Sequence, residues 1–256
     1  MIFLKKEEEI KVLKEGGKIL SLILKKLSRE VRAGITLDYL DQKAYSLIKN
    51  YKAEPAFLNY QPSFASKPFP NSLCVSVNEV IVHGLPKKEI VLKEGDIVSL
   101  DLGIKYKGFF TDMAITLGTG KIKEEYQKMI NVGKKALKRA IALMREGKRL
   151  GDIGFVIEKT ITENGFQVIK DLAGHGVGYY VHEDPLVYNF GEKNEGLELK
   201  KGMVLAIEPM LTDGCGLIKE NQDGSFETLD KKVSVHFEAT VAVGKTKGII
   251  LTPLIK

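Results

Sequence analysis

The chain has 256 residues, of which 44% are hydrophobic, so it is long enough to bury a large core, and we expect residues 1–256 to form a single domain. The 39 Lys and Arg exceed the 33 Asp and Glu by six, which does not require a nucleic-acid partner. No secretory signal, membrane-spanning run or disulfide framework is evident, so we expect a cytoplasmic protein without membrane or specific nucleic-acid binding.

Helical spacing of apolar residues dominates the first fifty residues and two later segments. Helices are predicted over residues 7–31, 37–48, 123–147 and 152–163. The segment QPSFASKPFPNS, residues 61–72, is rich in Pro and Ser and predicts an exposed loop of the kind that often contributes to sites.

A β-hairpin is predicted for IVSLDLGIKYKG and FFTDMAITLG, with the Lys-Gly pair at 107–108 as a two-residue turn. This register places Asp101 opposite Ala114 and Asp112 opposite Gly103. The two aspartates then share one face as diagonal neighbours, about 7–8 Å apart, whereas the other face is apolar.

Two later segments also read as strands that contain acids. GMVLAIEPM ends an apolar run with Glu208, directly before Pro209. KVSVHFEATVAV alternates with a period of two and predicts one strand, with apolar residues on one face and His236, Glu238 and Thr240 on the other.

Four acids therefore interrupt strands that otherwise favour burial. Because an isolated buried carboxylate costs many kcal/mol, each acid must bind a proton, a cation or a metal ion. Two divalent cations would match four carboxylates in charge, and an imidazole would favour a transition metal over calcium. The four histidines all lie in or beside the same segments: His83, His175, His182 and His236.

Each of these residues also has an ordinary explanation when it is considered alone. Asp101 or Asp112 could flank a turn or lie on an edge strand, His83 could end a strand, and His236 could lie at the edge of the core. The combination of all of them in one chain favours a metal site.

Five ordered segments resemble those of the methionine aminopeptidases: SVNEVIVHG, SLDLGIKYKGFFTD, GHGVGYYVHEDP, GMVLAIEPM and SVHFEATVAV. The resemblance extends over almost the whole chain. Only 25 residues, 183–207, separate His182 from Glu208, which leaves no room for the helical insertion of the type II enzymes. The chain therefore resembles the short type I form. This resemblance implies the α/β pita-bread fold, in which two pseudo-symmetric halves form a curved antiparallel sheet covered by helices.

The resemblance also implies the residues of the site. The five metal ligands would be Asp101, Asp112, His175, Glu208 and Glu238. Asp112 and Glu238 would bridge two divalent ions such as cobalt, manganese or iron. His83 and His182 would contact the substrate and the tetrahedral intermediate without binding metal.

The implied chemistry removes the first methionine of a peptide or a new protein. Two ions that share a water can lower its pKa and provide a hydroxide that attacks the peptide carbonyl. Glu208 would carry a proton to the leaving amine, and His182 with His83 would stabilise the developing oxyanion.

An apolar pocket for the methionine side chain is expected from the same resemblance. Phe69 and Cys74 match wall positions, although Cys74 could equally be ordinary core. Several relatives carry a tryptophan that this chain lacks, and Phe226 is a candidate replacement. His236 stands where many relatives have glutamine, and we predict that it packs close to the metal site as a hydrogen-bond donor.

Two alternative functions remain at this point. One is another hydrolase with the same fold, such as a prolidase, although such enzymes usually carry a large additional N-terminal domain. The other is a binding protein without activity that uses a basic helix to contact nucleic acid or the ribosome. The resemblance favours an enzyme, expected to be a monomer, that acts on N-terminal methionine peptides and could contact the ribosome.

Overall fold

The computed structural model describes residues 2–62 and 67–255. Within these ranges the helices are α1 (Glu7–Ser28), α2 (Leu37–Asn50), α3 (Glu124–Leu143) and α4 (Leu150–Thr162). All four predicted helices are present. Two helices end earlier than predicted. After Ser28 the chain turns towards Gly34, which has a φ of 87°. Beyond the end of α3, Arg145 forms a parallel bridge with Gly244.

The strands of the described residues are short, except for one long hairpin. They are β1 (Glu54–Pro55), β2 (Cys74–Val77), β3 (Val80–Val82), β4 (Ile97–Tyr106), β5 (Phe109–Gly118), β6 (Gln167–Val168), β7 (Ala173–Gly176), β8 (Glu183–Tyr188), β9 (Val204–Ile207), β10 (Met210–Thr212), β11 (Ile218–Glu220), β12 (Phe226–Thr228), β13 (Ser234–His236), β14 (Ala239–Ala242) and β15 (Ile249–Ile250).

The strand pairs of the four sheets are antiparallel. In the first sheet β4 pairs with β5 along one edge and with β1 and β2 along the other. The second sheet has the order β15-β14-β9-β7-β8. Two three-stranded sheets, β13-β10-β6 and β11-β12-β3, complete the arrangement. The expected mixture of helices with antiparallel strands is therefore present. Of the predicted loop at 61–72, residues 63–66 lie outside the described part of the chain.

The predicted hairpin register is confirmed. Asp101 pairs with Ala114, and Asp112 pairs with Gly103. The turn residues at 107–108 have φ values of 48° and 88°, which suits a type I′ turn because both central residues of that turn need positive φ. The local turn chemistry thus fixes which face carries both aspartates.

The single strand predicted at the C-terminal end is wrong, because the structure has two strands there, β13 and β14. The chain changes partner between them: His236 pairs with Met210, whereas Ala239 pairs with Ile207. The partner strand is interrupted at Pro209, which has no N–H to donate to a ladder. Both interruptions coincide and place Glu238 at the junction between two sheets.

The helices pack against the sheets and against one another. α1 packs on β4 and β5, and α3 packs on α4, β10 and β13. The largest buried apolar cluster contains side chains from both larger sheets and from all four helices. None of the described helices combines the length and the apolar character that crossing a membrane requires.

A buried ion pair connects the first residues to the first residue of β8. The ammonium group of Lys5 contacts the carboxylate of Glu183, and each side chain is only 1% exposed. The other carboxylate oxygen of Glu183 accepts hydrogen bonds from the N–H groups of Tyr179 and Tyr180 at 2.6 and 3.1 Å. Burial lowers the pKa of Lys5, and the contact with Glu183 opposes this shift.

Replacing Lys5 by methionine should lower the free energy of unfolding by about 3–5 kcal/mol, because the charge of Glu183 would remain buried without its partner. The control is Lys201→Met, since Lys201 pairs with Glu7 through side chains that are 67% and 73% exposed. That exposed pair should contribute little to stability, because solvent screens its charges. Urea denaturation of the three proteins measures both values, and equal stability of all three would contradict the assignment.

Candidate functional site

The five predicted ligand residues come from different elements. Asp101 lies on β4, Asp112 on β5 and His175 on β7, Glu208 directly follows β9, and Glu238 lies between β13 and β14. Asp112, His175 and Glu238 each place a ligand-type atom within 4.8 Å of the other two. These three residues are buried, so their atoms converge inside the protein.

The other two acids adjoin this group. The carboxyl groups of Asp101 and Asp112 lie close enough for Asp112 to raise the pKa of Asp101. Glu208 Oε1 lies 3.6 Å from His175 Nε2. All four acids and His175 therefore meet at one place, where β5 approaches the junction between β13 and β14.

Burial changes the titration of the acids strongly. It raises the pKa of Asp112 and of Glu208 to about 7, with the neighbouring Glu208 contributing to the shift of Asp112. Burial and the charges of neighbouring acids raise the pKa values of Asp101 and Glu238 well above their ordinary range. Raised pKa values of this kind are expected when carboxylates lie close together without enough positive charge nearby.

No lysine or arginine of the described residues forms an ion pair with these four acids; the carboxylate of Glu208 instead lies near ring nitrogen atoms of His175 and His236, at 3.6 and 3.4 Å. Within the described part of the chain, Asp101 Oδ1 and Glu238 Oε1 are buried without a hydrogen-bond partner. Buried oxygen atoms of this kind need a proton or a cation. A donor set of four carboxylates and one imidazole fits hard or borderline divalent cations.

The histidine of this group is oriented for ligation. His175 Nδ1 lies 2.8 Å from the carbonyl oxygen of Gly176. Because a carbonyl only accepts, Nδ1 carries the hydrogen and Nε2 keeps its lone pair. That lone pair is on the atom nearest Glu208. A backbone acceptor thus selects the tautomer that can bind a metal.

The two histidines predicted to contact substrate lie beside the other histidines of the site. The ring of His182 lies 4.3 Å, centre to centre, from the ring of His175. Burial, with the neighbouring His175 and His83, lowers the pKa of His182 to about 2. Burial and the neighbouring His236 lower the pKa of His83 to about 4. Both imidazoles are therefore neutral near pH 7 and can donate or accept hydrogen bonds without adding charge to the site.

His236 lies against Glu208. Its Nε2 is 3.4 Å from Glu208 Oε2, and only 2% of the residue is exposed, so the predicted close packing is confirmed. The predicted donor role is wrong, because neither ring nitrogen of His236 forms a hydrogen bond with the described residues. Burial lowers its pKa to about 3. On the backbone of the same acid, the Asn189 amide donates a hydrogen bond of 3.0 Å to the carbonyl of Glu208. Glu208 is thus contacted by His236 and His175 on its two carboxylate oxygens and by Asn189 on its backbone.

An apolar cluster adjoins the acids. Its buried members are Ala56, Phe57, Cys74 and Val181, and Tyr60, Phe69 and Phe110 pack against them. Cys74 pairs with Asp101 in the sheet, and burial raises the pKa of its thiol well above the ordinary value. Phe226 instead contacts the ring of His83, with 5.7 Å between ring centres. The cluster contains both residues that were predicted to line an apolar pocket.

Sequence reasoning missed several residues of the site. Tyr60 shares a hydrogen bond of 2.8 Å between its hydroxyl and His182 Nδ1, across 122 positions of sequence. Asn189 gave no signal in the sequence. Thr116 and Thr240 each bond to backbone groups beside the acids. Thr240 could have been identified, because it shares the polar face of the segment that contains His236 and Glu238.

Comparisons with known proteins find relatives that match almost the whole chain. The sequence description of metallopeptidase family M24 matches residues 11–245. Methionine aminopeptidases of Clostridium perfringens and Aquifex aeolicus are 43% and 41% identical over 253 residues, covering at least 97% of each chain. The crystal structure of a methionine aminopeptidase from Thermotoga maritima superposes with a TM-score of 0.93 at 38% identity, covering 99% of this chain and 100% of that one.

Proposed function

Because the chain belongs to metallopeptidase family M24, and within it to the methionine aminopeptidases, we propose that it removes the N-terminal methionine of peptides and newly made proteins. Residues 1–256 would form one catalytic domain for this reaction. The observation that carries the proposal is the meeting of three buried carboxylates, the partly buried carboxylate of Asp101 and one correctly oriented imidazole, without a lysine or arginine partner among the described residues.

We propose that the site holds two divalent ions, with manganese, iron or cobalt as candidates. The ligands would be Asp101, Asp112, His175, Glu208 and Glu238, of which Asp112 and Glu238 are shared by both ions. When bound, the ions would lower the pKa of a water molecule and polarise the scissile carbonyl. Two divalent charges also balance four carboxylates, which supports the number proposed.

The protein residues around this centre have separate roles. Glu208 moves a proton from the attacking water to the leaving amine, since its carboxylate lies at the centre of the site. His182 and His83 donate hydrogen bonds to the substrate and to the developing oxyanion, a role that their neutral state supports. His236 holds the carboxylate of Glu208 in place, which its 3.4 Å contact supports.

The methionine side chain would lie in the apolar cluster around Phe69 and Cys74. This cluster is next to the acids, because Cys74 is the strand partner of Asp101. An unbranched thioether fits a wall of aromatic and small apolar side chains. Gly103 allows the first sheet to approach this cluster, since a Cβ there would lie only 2.6 Å from the Phe57 ring.

The substrates would be proteins as they emerge from the ribosome, and we propose that the chain acts on them as a monomer in the cytoplasm. The two free cysteines, Cys74 and Cys215, support a reducing compartment. A direct contact with the ribosome is compatible with this proposal.

Three peptides test the activity after the protein has been loaded with Mn²⁺. Met-Ala-Ser should release methionine, whereas Ala-Pro-Ala and Gly-Pro should remain intact, and a chelator should stop the release until Mn²⁺ is restored. Cleavage of the proline peptides would instead identify a prolidase or an aminopeptidase P. If the sample contains no metal, hydrolyses none of the peptides and binds RNA in a salt-sensitive manner, the result would indicate a binding protein without enzymatic activity.

A further inference from the structure

Two threonine hydroxyls join β5 to the segment that carries Glu238. The N–H of Asp112 donates to Thr240 Oγ1 at 2.9 Å, and the Thr240 hydroxyl donates to the carbonyl of Asp112 at 2.8 Å. The N–H of His236 donates to Thr116 Oγ1 at 3.0 Å, and the Thr116 hydroxyl donates to the carbonyl of His236 at 2.6 Å. Each hydroxyl thus holds both backbone groups of one residue on the opposite segment.

The two contacts lie at the ends of one antiparallel register. Midway between them, the N–H of Glu238 donates to the carbonyl of Ala114 at 2.9 Å. The facing positions are therefore 112 with 240, 114 with 238, and 116 with 236. This register fixes Asp112 and Glu238 relative to each other, and they are the two acids proposed to bridge the ions.

Backbone groups of Thr240 could not replace its hydroxyl. Its N–H donates to Thr252 Oγ1 at 2.9 Å, and its carbonyl accepts from the N–H of Leu251 at 2.9 Å. Without the hydroxyl, the N–H and carbonyl of Asp112 would lose these partners in a part of the protein where Thr240 is fully buried. Buried backbone groups that lack a hydrogen-bond partner are strongly disfavoured.

The hydrogen positions at Thr116 follow from its contacts. A hydroxyl has one hydrogen, and Thr116 uses it for the carbonyl of His236. The contact of 2.7 Å between Ser99 Oγ and Thr116 Oγ1 must therefore be donated by Ser99. Ser99 and Thr116 are 4% and 2% exposed, so the protein itself supplies these hydrogen bonds.

We propose that Thr116 and Thr240 are positioning residues that hold Asp112 and Glu238 at the separation needed by a pair of divalent ions, before any ion binds. This inference rests on the metal site of the proposed function. Valine has nearly the shape of threonine but cannot form either hydrogen bond. A valine at either position should let the two segments move apart and should weaken metal binding.

The test is the affinity for Mn²⁺, measured by isothermal titration calorimetry on metal-free protein at a temperature where circular dichroism shows each variant folded. Thr116→Val and Thr240→Val should each bind Mn²⁺ about 10- to 100-fold more weakly, the usual effect of removing groups that orient metal ligands. Thr116→Ser and Thr240→Ser, which keep the hydroxyl, should restore binding. Hydrogen exchange at the amides of Asp112 and His236 should be faster in the valine variants only.

Thr212→Val is a matched control. Thr212 is fully buried, and its hydroxyl also contacts two backbone groups: it donates to the carbonyl of Val233 at 2.8 Å and accepts from the N–H of Gly214 at 3.0 Å. Both partners lie outside residues 112–116 and 236–240, the positions that Thr116 and Thr240 join. Its Mn²⁺ affinity should equal that of the unchanged protein, and an equal loss in this control would overturn the proposal.

The remaining outcomes are also decisive. If the folded valine variants bind Mn²⁺ as tightly as the protein without substitutions, the positioning role is overturned and the proposed function is unaffected. If the protein without substitutions binds no divalent ion, the proposed metal site itself is contradicted. If the valine variants do not fold, Ser99→Ala removes only the bond that Thr116 accepts from Ser99. Weaker Mn²⁺ binding by that variant would support the proposal, and unchanged binding would overturn it.

Discussion

Replacing Asp112 by asparagine should abolish metal-dependent release of methionine and weaken the retention of at least one divalent ion. The amide has nearly the same shape but has no charge to share between two cations. The metal-free variant should nevertheless be more stable than the unchanged metal-free protein. Burial and the neighbouring Glu208 raise the pKa of Asp112 to about 7, which shows that its charge is unfavourable in the folded protein.

The expected stabilisation of the metal-free protein is on the order of a few kcal/mol above pH 7, because an ionised carboxylate whose pKa is raised destabilises the folded state by about 1.4 kcal/mol per pKa unit. With Mn²⁺ present the order should reverse, because ions that bind only the folded state stabilise the unchanged protein. Glu238→Gln should behave in the same way, since burial and three neighbouring acids raise the pKa of Glu238. The reversal distinguishes a ligand from a residue that merely supports the fold.

Asp171→Asn is the control, because Asp171 is an exposed aspartate beside β7. It should alter neither metal content nor the unfolding midpoint with or without Mn²⁺. Metal content by mass spectrometry, release of methionine from Met-Ala-Ser and thermal unfolding together measure the effect. Full activity in Asp112→Asn would refute its role as a bridging ligand.

The fold was predicted most accurately where local chemistry decides it. A Lys-Gly turn between two strands of equal length fixed the register that pairs Asp101 with Ala114. The pita-bread fold and the family implied by the ordered motifs are confirmed by the close structural match and the full-length relatives. Sequence patterns succeeded here because the turn and the alternation act over a few residues.

Predictions failed where a distant partner decides the structure. The alternation in residues 232–243 describes one continuous strand, but the break at Pro209 of the partner strand divides it into β13 and β14. No pattern within the segment shows this, because alternation survives the break. The contact between Tyr60 and His182 depends in the same way on two segments that the sequence places 122 positions apart.

The proposed site depends on both kinds of information. The charge argument selected Asp101, Asp112, Glu208 and Glu238 because each interrupts an apolar strand, and the structure brings these acids together around His175. It could not reveal the hydroxyls that hold the segments in register. Hydroxyl side chains occur throughout any sequence, so only the folded structure shows which of them meet backbone groups beside the acids.

His182→Ala should slow the release of methionine about 100-fold or more while leaving metal content unchanged, since the loss of one hydrogen-bond donor to the transition state has that size. His182 is suited to this role because it is neutral and lies 4.3 Å, between ring centres, from His175 without belonging to the five proposed ligands. The effect should fall mainly on kcat, because the oxyanion forms only during the reaction.

Tyr60→Phe should produce a smaller decrease in the same direction. The Tyr60 hydroxyl lies 2.8 Å from His182 Nδ1, so its removal leaves the imidazole in place but less firmly oriented. Tyr45→Phe is the control, because Tyr45 is 44% exposed on α2 and should have no effect on kcat. Adding Tyr60→Phe to His182→Ala should cause no further loss, since the hydroxyl would then have no imidazole to orient. Loss of metal from His182→Ala would instead mean that His182 is itself a metal ligand. If the two substitutions have independent effects on kcat, Tyr60 does not act through His182.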